Sequence, residues 1–310
     1  MIPVSIVTGF LGSGKTTLIR RLLADPVFAG TAVIVNEFGE IGLDHTLLAQ
    51  GKETAVVLTT GCLCCAMQSD LAQTLATLAR QGEYERVVIE TSGLAEPSNL
   101  MRTIIEDPFV ADSHALANVL TLVDAVHGVV TLEGHVESRR QVALADRVLM
   151  TKTDLTEPPD AVFHTIRAIN PDASIATNRD DDVAALLFAP RLTPAQTPDP
   201  SPVQHRAGLG STVVLRQDPL PALALALWLQ ALVEHAGERL LRVKGIACVR
   251  ENPDEPAIIH AVRHSIAEAE WLPAWPDADR NTRIVVIGED IPPHFPSRLL
   301  TAITEEVAER

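Results

Sequence analysis

The segment Gly9-Phe10-Leu11-Gly12-Ser13-Gly14-Lys15-Thr16 constrains the fold of this chain more than any other. It has the form G-x-x-x-x-G-K-[ST] and lies between an apolar run, Val4–Thr8, and a stretch of helical periodicity that starts near Thr16. Strand before and helix after is the context in which such a loop binds phosphate. Its glycines let the backbone curl, so that successive N–H groups point at phosphate oxygens. Lys15 brings a point charge to the outer phosphates and the Thr16 hydroxyl can ligate Mg²⁺. The helix N-terminus adds about half a positive charge. Gly9, Gly12, Ser13, Gly14, Lys15, Thr16 and Thr17 are the expected phosphate contacts, with Lys15 facing solvent until nucleotide arrives.

The first ~190 residues alternate apolar runs with amphipathic stretches, as a mainly parallel sheet covered by helices on both faces requires. The runs are Val4–Thr8, Ala32–Asn36, Ala55–Thr59, Arg86–Glu90, Val119–Val123, Arg147–Met150 and Ser174–Thr177. From Pro190 to His205 the composition changes to Pro, Thr, Gln, Asp and Ser, which predicts an extended linker. The remaining residues read as strand, helix, three strands and a terminal helix, a small α+β domain. The expected organisation is therefore an α/β P-loop NTPase domain at 1–189, a proline-rich linker at 190–207 and an α+β domain at 208–310.

Two further segments refine the nucleotide chemistry. Val148-Leu149-Met150 runs into Thr151-Lys152-Thr153-Asp154, close to the Asn-Lys-x-Asp with which GTPases read guanine. The Asp154 carboxylate would accept hydrogen bonds from guanine N1–H and N2–H₂, which adenine cannot supply, while the Lys152 stem packs along the base. Thr151 stands where Asn is usual, so one supporting contact changes. Val87-Val88-Ile89-Glu90-Thr91-Ser92-Gly93 delivers an acid to the end of an apolar strand, with a glycine three residues on. Glu90 is the expected Mg²⁺-linked acid and Gly93 the residue that senses the γ-phosphate.

Three of the four cysteines fall in Gly61-Cys62-Leu63-Cys64-Cys65. The spacing is tighter than that of structural zinc ribbons and no second pair completes four ligands. Thiolates suit Zn²⁺, Cu⁺ or Co²⁺ far better than Mg²⁺, and an incomplete thiolate set suits transient binding. The alternative is three buried or redox-active thiols without metal. Cys248 reads as core, and His260 and His264 as residues on the surface face of a strand.

The formal net charge of −15 comes with no Lys/Arg cluster, which argues against nucleic acid as a partner. The apolar stretch around Leu220–Val233 is too short to span a bilayer and contains Gln230. No basic, then apolar, leader precedes Val4, so a cytosolic location is expected.

These signatures together resemble the CobW-type branch of the metal-chaperone GTPases, whose wider group includes the HypB and UreG proteins. The resemblance rests on 9–17, on Val-Asn-Glu-Phe-Gly at 35–39, on the cysteine segment at 61–65 and on Glu-Thr-Ser-Gly-Leu-Ala-Glu-Pro at 90–97. It implies GTP hydrolysis coupled to delivery of zinc, or in some members cobalt, to a client metalloprotein, and a nucleotide-dependent homo-oligomer. Carried over by position, Cys62, Cys64 and Cys65 are the metal thiolates and Glu37 lies in the first switch near a metal. Either Glu37 or Asp44 would orient the attacking water, with Lys15 the catalytic cation. The chain departs from the family at Thr151, at Glu96 before Pro97, and in having a proline-rich stretch where many members carry histidines. It also lacks an extra lysine near the start of the phosphate loop. Two other readings fit parts of the pattern: a metal-sensing regulatory GTP-binding module, and an ATP-dependent small-molecule kinase, against which Asp154 and the cysteines argue.

Overall fold

The structure, a computed structural model, describes residues 1–35, 66–177, 183–189, 203–204 and 208–309. Glu37, Asp44, Cys62, Cys64, Cys65, the expected strand Ala55–Thr59 and most of the proline-rich stretch lie outside the described residues.

The chain divides into two compact units, Met1–His164 with Ala173–Arg191, and Thr165–Asp172 with Leu192–Arg310. The first is built on six parallel strands: β1 (Ile2–Gly9), β2 (Thr31–Val35), β3 (Arg86–Glu90), β4 (His114–Asp124), β5 (Arg147–Thr151) and β6 (Ser174–Thr177). Their order is β2-β3-β1-β4-β5-β6, and every pairing is parallel. Helices fall between the strands: α1 (Lys15–Ala24), α2 (Ala66–Gln81), α3 (Ser98–Glu106), α4 (Pro108–Ala111), α5 (Gly128–Gly134), α6 (Val136–Ala143), α7 (Asp160–Ile169) and α8 (Val183–Phe188). All five residues of β2 and of β5 are buried, as strands covered on both faces must be. The α1 face carrying Leu18, Ile19 and Leu22 packs with Val7, Val33, Val88 and Leu122. At roughly 25 cal/mol per Å² of apolar surface, such side chains contribute about 1.5–3 kcal/mol each when fully buried.

β4 runs five residues earlier than the apolar stretch Val119–Val123 predicts. In the extension, the Asn118 amide nitrogen finds its acceptors on distant backbone. Asn118 Nδ2 donates to Leu187 O at 2.8 Å and Ala189 O at 2.9 Å, and Ser5 Oγ also reaches Leu187 O at 2.6 Å. These bonds tie the end of α8 to the sheet.

The second unit holds an antiparallel sheet in the order β11-β10-β9-β13-β8-β7, with β12 paired to β10. Its strands are β7 (Val203–Gln204), β8 (Leu209–Arg216), β9 (Leu240–Val249), β10 (Asn252–Val262), β11 (Ser265–Ile266), β12 (Glu270–Trp271) and β13 (Thr282–Glu289). Helices α9 (Ala222–Ala236) and α10 (Phe295–Ala308) complete it. Trp228 of α9 is fully buried among Leu232, Val243, Ile259, Ile284 and Leu300, and its Nε1 donates to Pro296 O at 2.9 Å.

Two readings of the sequence are corrected here. Val203 and Gln204 are not linker but a short strand paired to Ser211 and Gly210. His260 does not sit on a surface face; it is buried on β10, whereas His264 lies past the end of that strand and is exposed.

Candidate nucleotide-binding site

The site forms at the C-terminal ends of β1, β3, β4 and β5, where an open parallel sheet binds its ligands. β1 ends in Gly9, whose φ of 143° only glycine adopts readily. A Cβ there would lie 2.5 Å from Leu122 O on the neighbouring strand. Gly14, at φ 97°, precedes α1 in the left-handed region, and no side chain caps the helix N-terminus. The first amides of α1 are thus left to face an anion.

Lys15 differs from expectation. It is buried rather than solvent-facing, and its Nζ donates to Gly9 O at 2.8 Å and Phe10 O at 3.1 Å. A buried ammonium needs acceptors, and the curl of the loop supplies them from its own backbone.

Thr16 Oγ1 donates to Glu90 Oε1 at 3.1 Å, bringing the expected metal-ligating hydroxyl and acid together across β1 and β3. Thr91 is held to β1 twice, through its N–H to Val7 O at 3.0 Å and its Oγ1 to Thr8 Oγ1 at 2.8 Å. Two residues on, Gly93 touches the phosphate loop. A Cβ on it would fall 2.8 Å from Leu11 N and 2.9 Å from Leu11 Cα, so only glycine fits. Gly12, Lys15, Thr16, Thr17, Glu90 and Gly93 line a cavity of about 280 Å³.

The end of β5 joins the loop from the other side. Thr151 Oγ1 donates to Ser13 O at 2.7 Å. Thr151 therefore ties the Thr151–Asp154 segment to the phosphate loop through its hydroxyl. Lys152, at φ 57°, turns the chain sharply and pairs with Asp124 at the end of β4. Asp124 Oδ1 also accepts from Val126 N at 2.7 Å and His127 N at 3.4 Å. Burial alone would raise the Asp124 pKa, but the Lys152 ammonium and these two amides outweigh it and hold the carboxyl below its ordinary value. Asp154 is exposed. Asp124, Lys152, Ser13, Gly12, His127 and Thr131 line a second cavity of about 320 Å³ beside the loop.

Sequence reasoning missed Asp124, although it carries the signal used for Glu90, an acid closing an apolar strand. It also missed Gln141 of α6. That side chain is fully buried and its Nε2 donates to Gly93 O at 3.1 Å and Ala95 O at 3.0 Å. Nothing in its local sequence marks it. Among the described residues no cluster of three or more His, Cys, Asp or Glu could hold a metal; the three cysteines of the predicted metal site lie outside them.

Residues 3–177 match the family described as CobW/HypB/UreG, nucleotide-binding domain. The chain belongs to the CobW/HypB/UreG family. Residues 209–304 match a second family, described as the cobalamin synthesis protein CobW C-terminal domain. Two curated relatives match over nearly the whole chain. The chain is 29% identical over 304 residues to the zinc chaperone YjiA of Escherichia coli, covering 94% of this chain and 95% of that protein. It is 30% identical over 352 residues to the zinc chaperone CobW of Pseudomonas aeruginosa, covering 94% and 88%. The crystal structure of a Zn(II)-bound YjiA GTPase from E. coli superposes with a TM-score of 0.74 at 24% identity, over 97% of this chain and 98% of that one. That likeness shows the fold: a six-stranded parallel P-loop sheet followed by an antiparallel unit is the architecture of this CobW/HypB/UreG protein too. No helix among its described residues is long and apolar enough to cross a membrane.

Proposed function

We propose that this chain, a GTPase, couples GTP hydrolysis to the loading and release of a thiophilic divalent metal, zinc first and cobalt second, and hands that metal to a client metalloprotein in the cytosol. Cys62, Cys64 and Cys65 are the proposed thiolate ligands, and Glu37 is assigned to the first switch, near Mg²⁺ or a second metal. Residues 1–189 are the proposed catalytic domain and 208–310 the accessory domain, with 190–207 the connection between them apart from the short strand at Val203–Gln204.

The observation that carries the reading is strand register. Val35, the last residue of β2, pairs with Glu90, the last residue of β3. β2 thus ends level with Glu90, which meets Thr16, and Glu37 follows two residues after Val35 in the sequence. Ala66, the residue after Cys65, is the first residue of α2. A helix N-terminus lowers the pKa of a nearby thiol and favours the thiolate a metal needs. The names of the two curated relatives, both zinc chaperones, support the same assignment.

The chemistry assigned to the site follows its geometry. Lys15 turns from Gly9 O and Phe10 O to the outer phosphates. Thr16 and Glu90 offer two hard oxygen donors on one side of the loop, a set that fits Mg²⁺, and these two residues would hold it. When bound, Mg²⁺ would supply charge neutralisation to the phosphates that Lys15 and the loop amides hold. Asp154 accepts from the guanine edge while Thr151 keeps that segment in register with Ser13. Glu37 or Asp44 orients the attacking water. Metal affinity measured in the GTP and GDP states tests the reading, because a chaperone must hold its cargo differently in the two. Equal affinities would leave a metal-binding GTPase without a delivery switch.

A further inference from the structure

Gly93 lies between two constraints. On one side is the phosphate loop, at Leu11. On the other is Gln141, whose amide donates both of its hydrogens to the turn that contains Gly93. The turn itself is closed by Ala95 N–H donating to Ser92 O at 3.1 Å. The orientation of the Gln141 amide is set by chemistry, because the reverse orientation would place its oxygen against two carbonyl oxygens. Gln141 is also tied behind: its backbone carbonyl accepts from Thr121 Oγ1 of β4 at 2.9 Å. Its neighbour Arg140 holds the next residues of the turn through an ion pair with Glu96 at 3.4 Å, and Glu96 Oε1 accepts from Ser98 Oγ at 2.6 Å.

We propose that Gln141 is a positioning residue for GTP hydrolysis, a latch that sets the Gly93 turn where the γ-phosphate meets it and so separates the GTP state from the GDP state. Thr91, at the base of the turn, is fixed to β1 whether or not a γ-phosphate is present. Among the described residues, Gln141 is the side chain that bonds the carbonyls of the tip, at Gly93 and Ala95. A charge-assisted bond from the Gly93 amide to phosphate is comparable in strength with the two neutral bonds of the latch. The γ-phosphate and the latch therefore act on one short segment with matched strength, the condition for a two-state element. The bond from Thr121 makes β4 and α6 the route by which the state of the turn reaches the Asp124 end of the sheet. A purely structural role is the competing account: a buried glutamine that satisfies two carbonyls and contributes stability alone.

This proposal rests on the GTPase reading and not on the metal site, so the test omits zinc and cobalt. Full-length Gln141→Met keeps the length of the side chain and removes both donors. Arg140→Ala loosens the same turn from its partly exposed side and leaves the core intact. For each, the measurements are kcat and KM with Mg-GTP, the Kd of GDP, the Kd of a non-hydrolysable GTP analogue, and the unfolding midpoint. Loss of two hydrogen bonds should lower kcat by roughly tenfold to thirtyfold in Gln141→Met. The preference for the GTP analogue over GDP should fall by a similar factor, while GDP affinity stays within about threefold of the unaltered chain. Arg140→Ala should shift the same preference in the same direction by about twofold to threefold. A lower midpoint with an unchanged GTP-to-GDP preference in both variants would overturn the latch in favour of the structural role. If Gln141→Met does not fold, an unchanged preference in Arg140→Ala alone overturns it. Absence of hydrolysis by the unaltered chain would instead remove the GTPase reading, and is read from the control.

Discussion

Thr8, Ser13, Lys15, Glu90, Thr91, Gln141 and Thr151 are buried polar residues gathered at one end of the parallel sheet, whereas the second unit centres on Trp228 and a cluster of Leu, Ile and Val. Apolar burial is non-directional and its stabilisation grows with area. Polar burial costs desolvation unless each group finds a partner, and what it gives in return is geometry. At its strand ends the first unit therefore uses buried polar groups to hold a loop, a turn and a strand end in fixed relation, whereas the Trp228 cluster of the second, which also buries Arg242, His260 and Thr282 elsewhere, keeps that unit folded.

That difference predicts opposite consequences for single substitutions. The largest effect on stability belongs to Trp228→Ala, which removes a fully buried side chain and leaves Pro296 O without its donor. The expected cost is about 3–5 kcal/mol, seen as a lower unfolding transition for the second unit. GTP affinity at the phosphate loop, which belongs to the other unit, should stay within about threefold. A parallel loss of GTP binding would break the comparison.

Lys15→Ala should do the reverse. Turnover should fall by about 10²–10³-fold or more, the range for losing a donor aimed at developing negative charge. The unfolding midpoint should move less than in Trp228→Ala, because Lys15 itself lines a cavity of about 280 Å³ from which water can reach the carbonyls it leaves. Turnover close to the unaltered level would take the phosphate loop out of the mechanism. Thr151→Ala is the mildest of the three. It deletes the bond to Ser13 O and should weaken GTP and GDP together by about 1 kcal/mol, roughly fivefold. Selective loss of one nucleotide would mean that Thr151 reports on the γ-phosphate and not on the base.

The phosphate loop, Glu90, Gly93 and the Thr151–Asp154 segment were legible because each sits within a few residues of a strand end, and strand ends are what hydrophobic patterning marks best. Asp124 follows the same rule and was missed only because no motif surrounds it. Gln141 was not legible at all. Its bonds reach Gly93, 48 residues earlier in the chain, and a buried glutamine on a short helix has no periodic signature. The burial of Lys15 was misread for a related reason: its acceptors are backbone carbonyls, whose directions depend on a loop conformation that residue types do not specify. His260 reads as a surface residue only if β10 is taken to have an exposed face there, and the structure buries it. Val203–Gln204 was absorbed into the proline-rich stretch because two residues cannot show a period.

The claim that joins the two sites is that the nucleotide state sets metal affinity. Linkage makes the coupling reciprocal: if Mg-GTP tightens metal binding by some factor, metal must tighten GTP binding by the same factor. The direct measurement is a titration of the full chain with Zn²⁺, and separately with Co²⁺, in the presence of Mg-GDP and of Mg with a non-hydrolysable GTP analogue. The account predicts tighter binding in the GTP state by about 1–3 kcal/mol, roughly 5–150-fold. It also predicts that replacing Cys62, Cys64 and Cys65 together with Ser abolishes the difference. The same metal affinity in both nucleotide states, or a difference that survives the triple replacement, would contradict it.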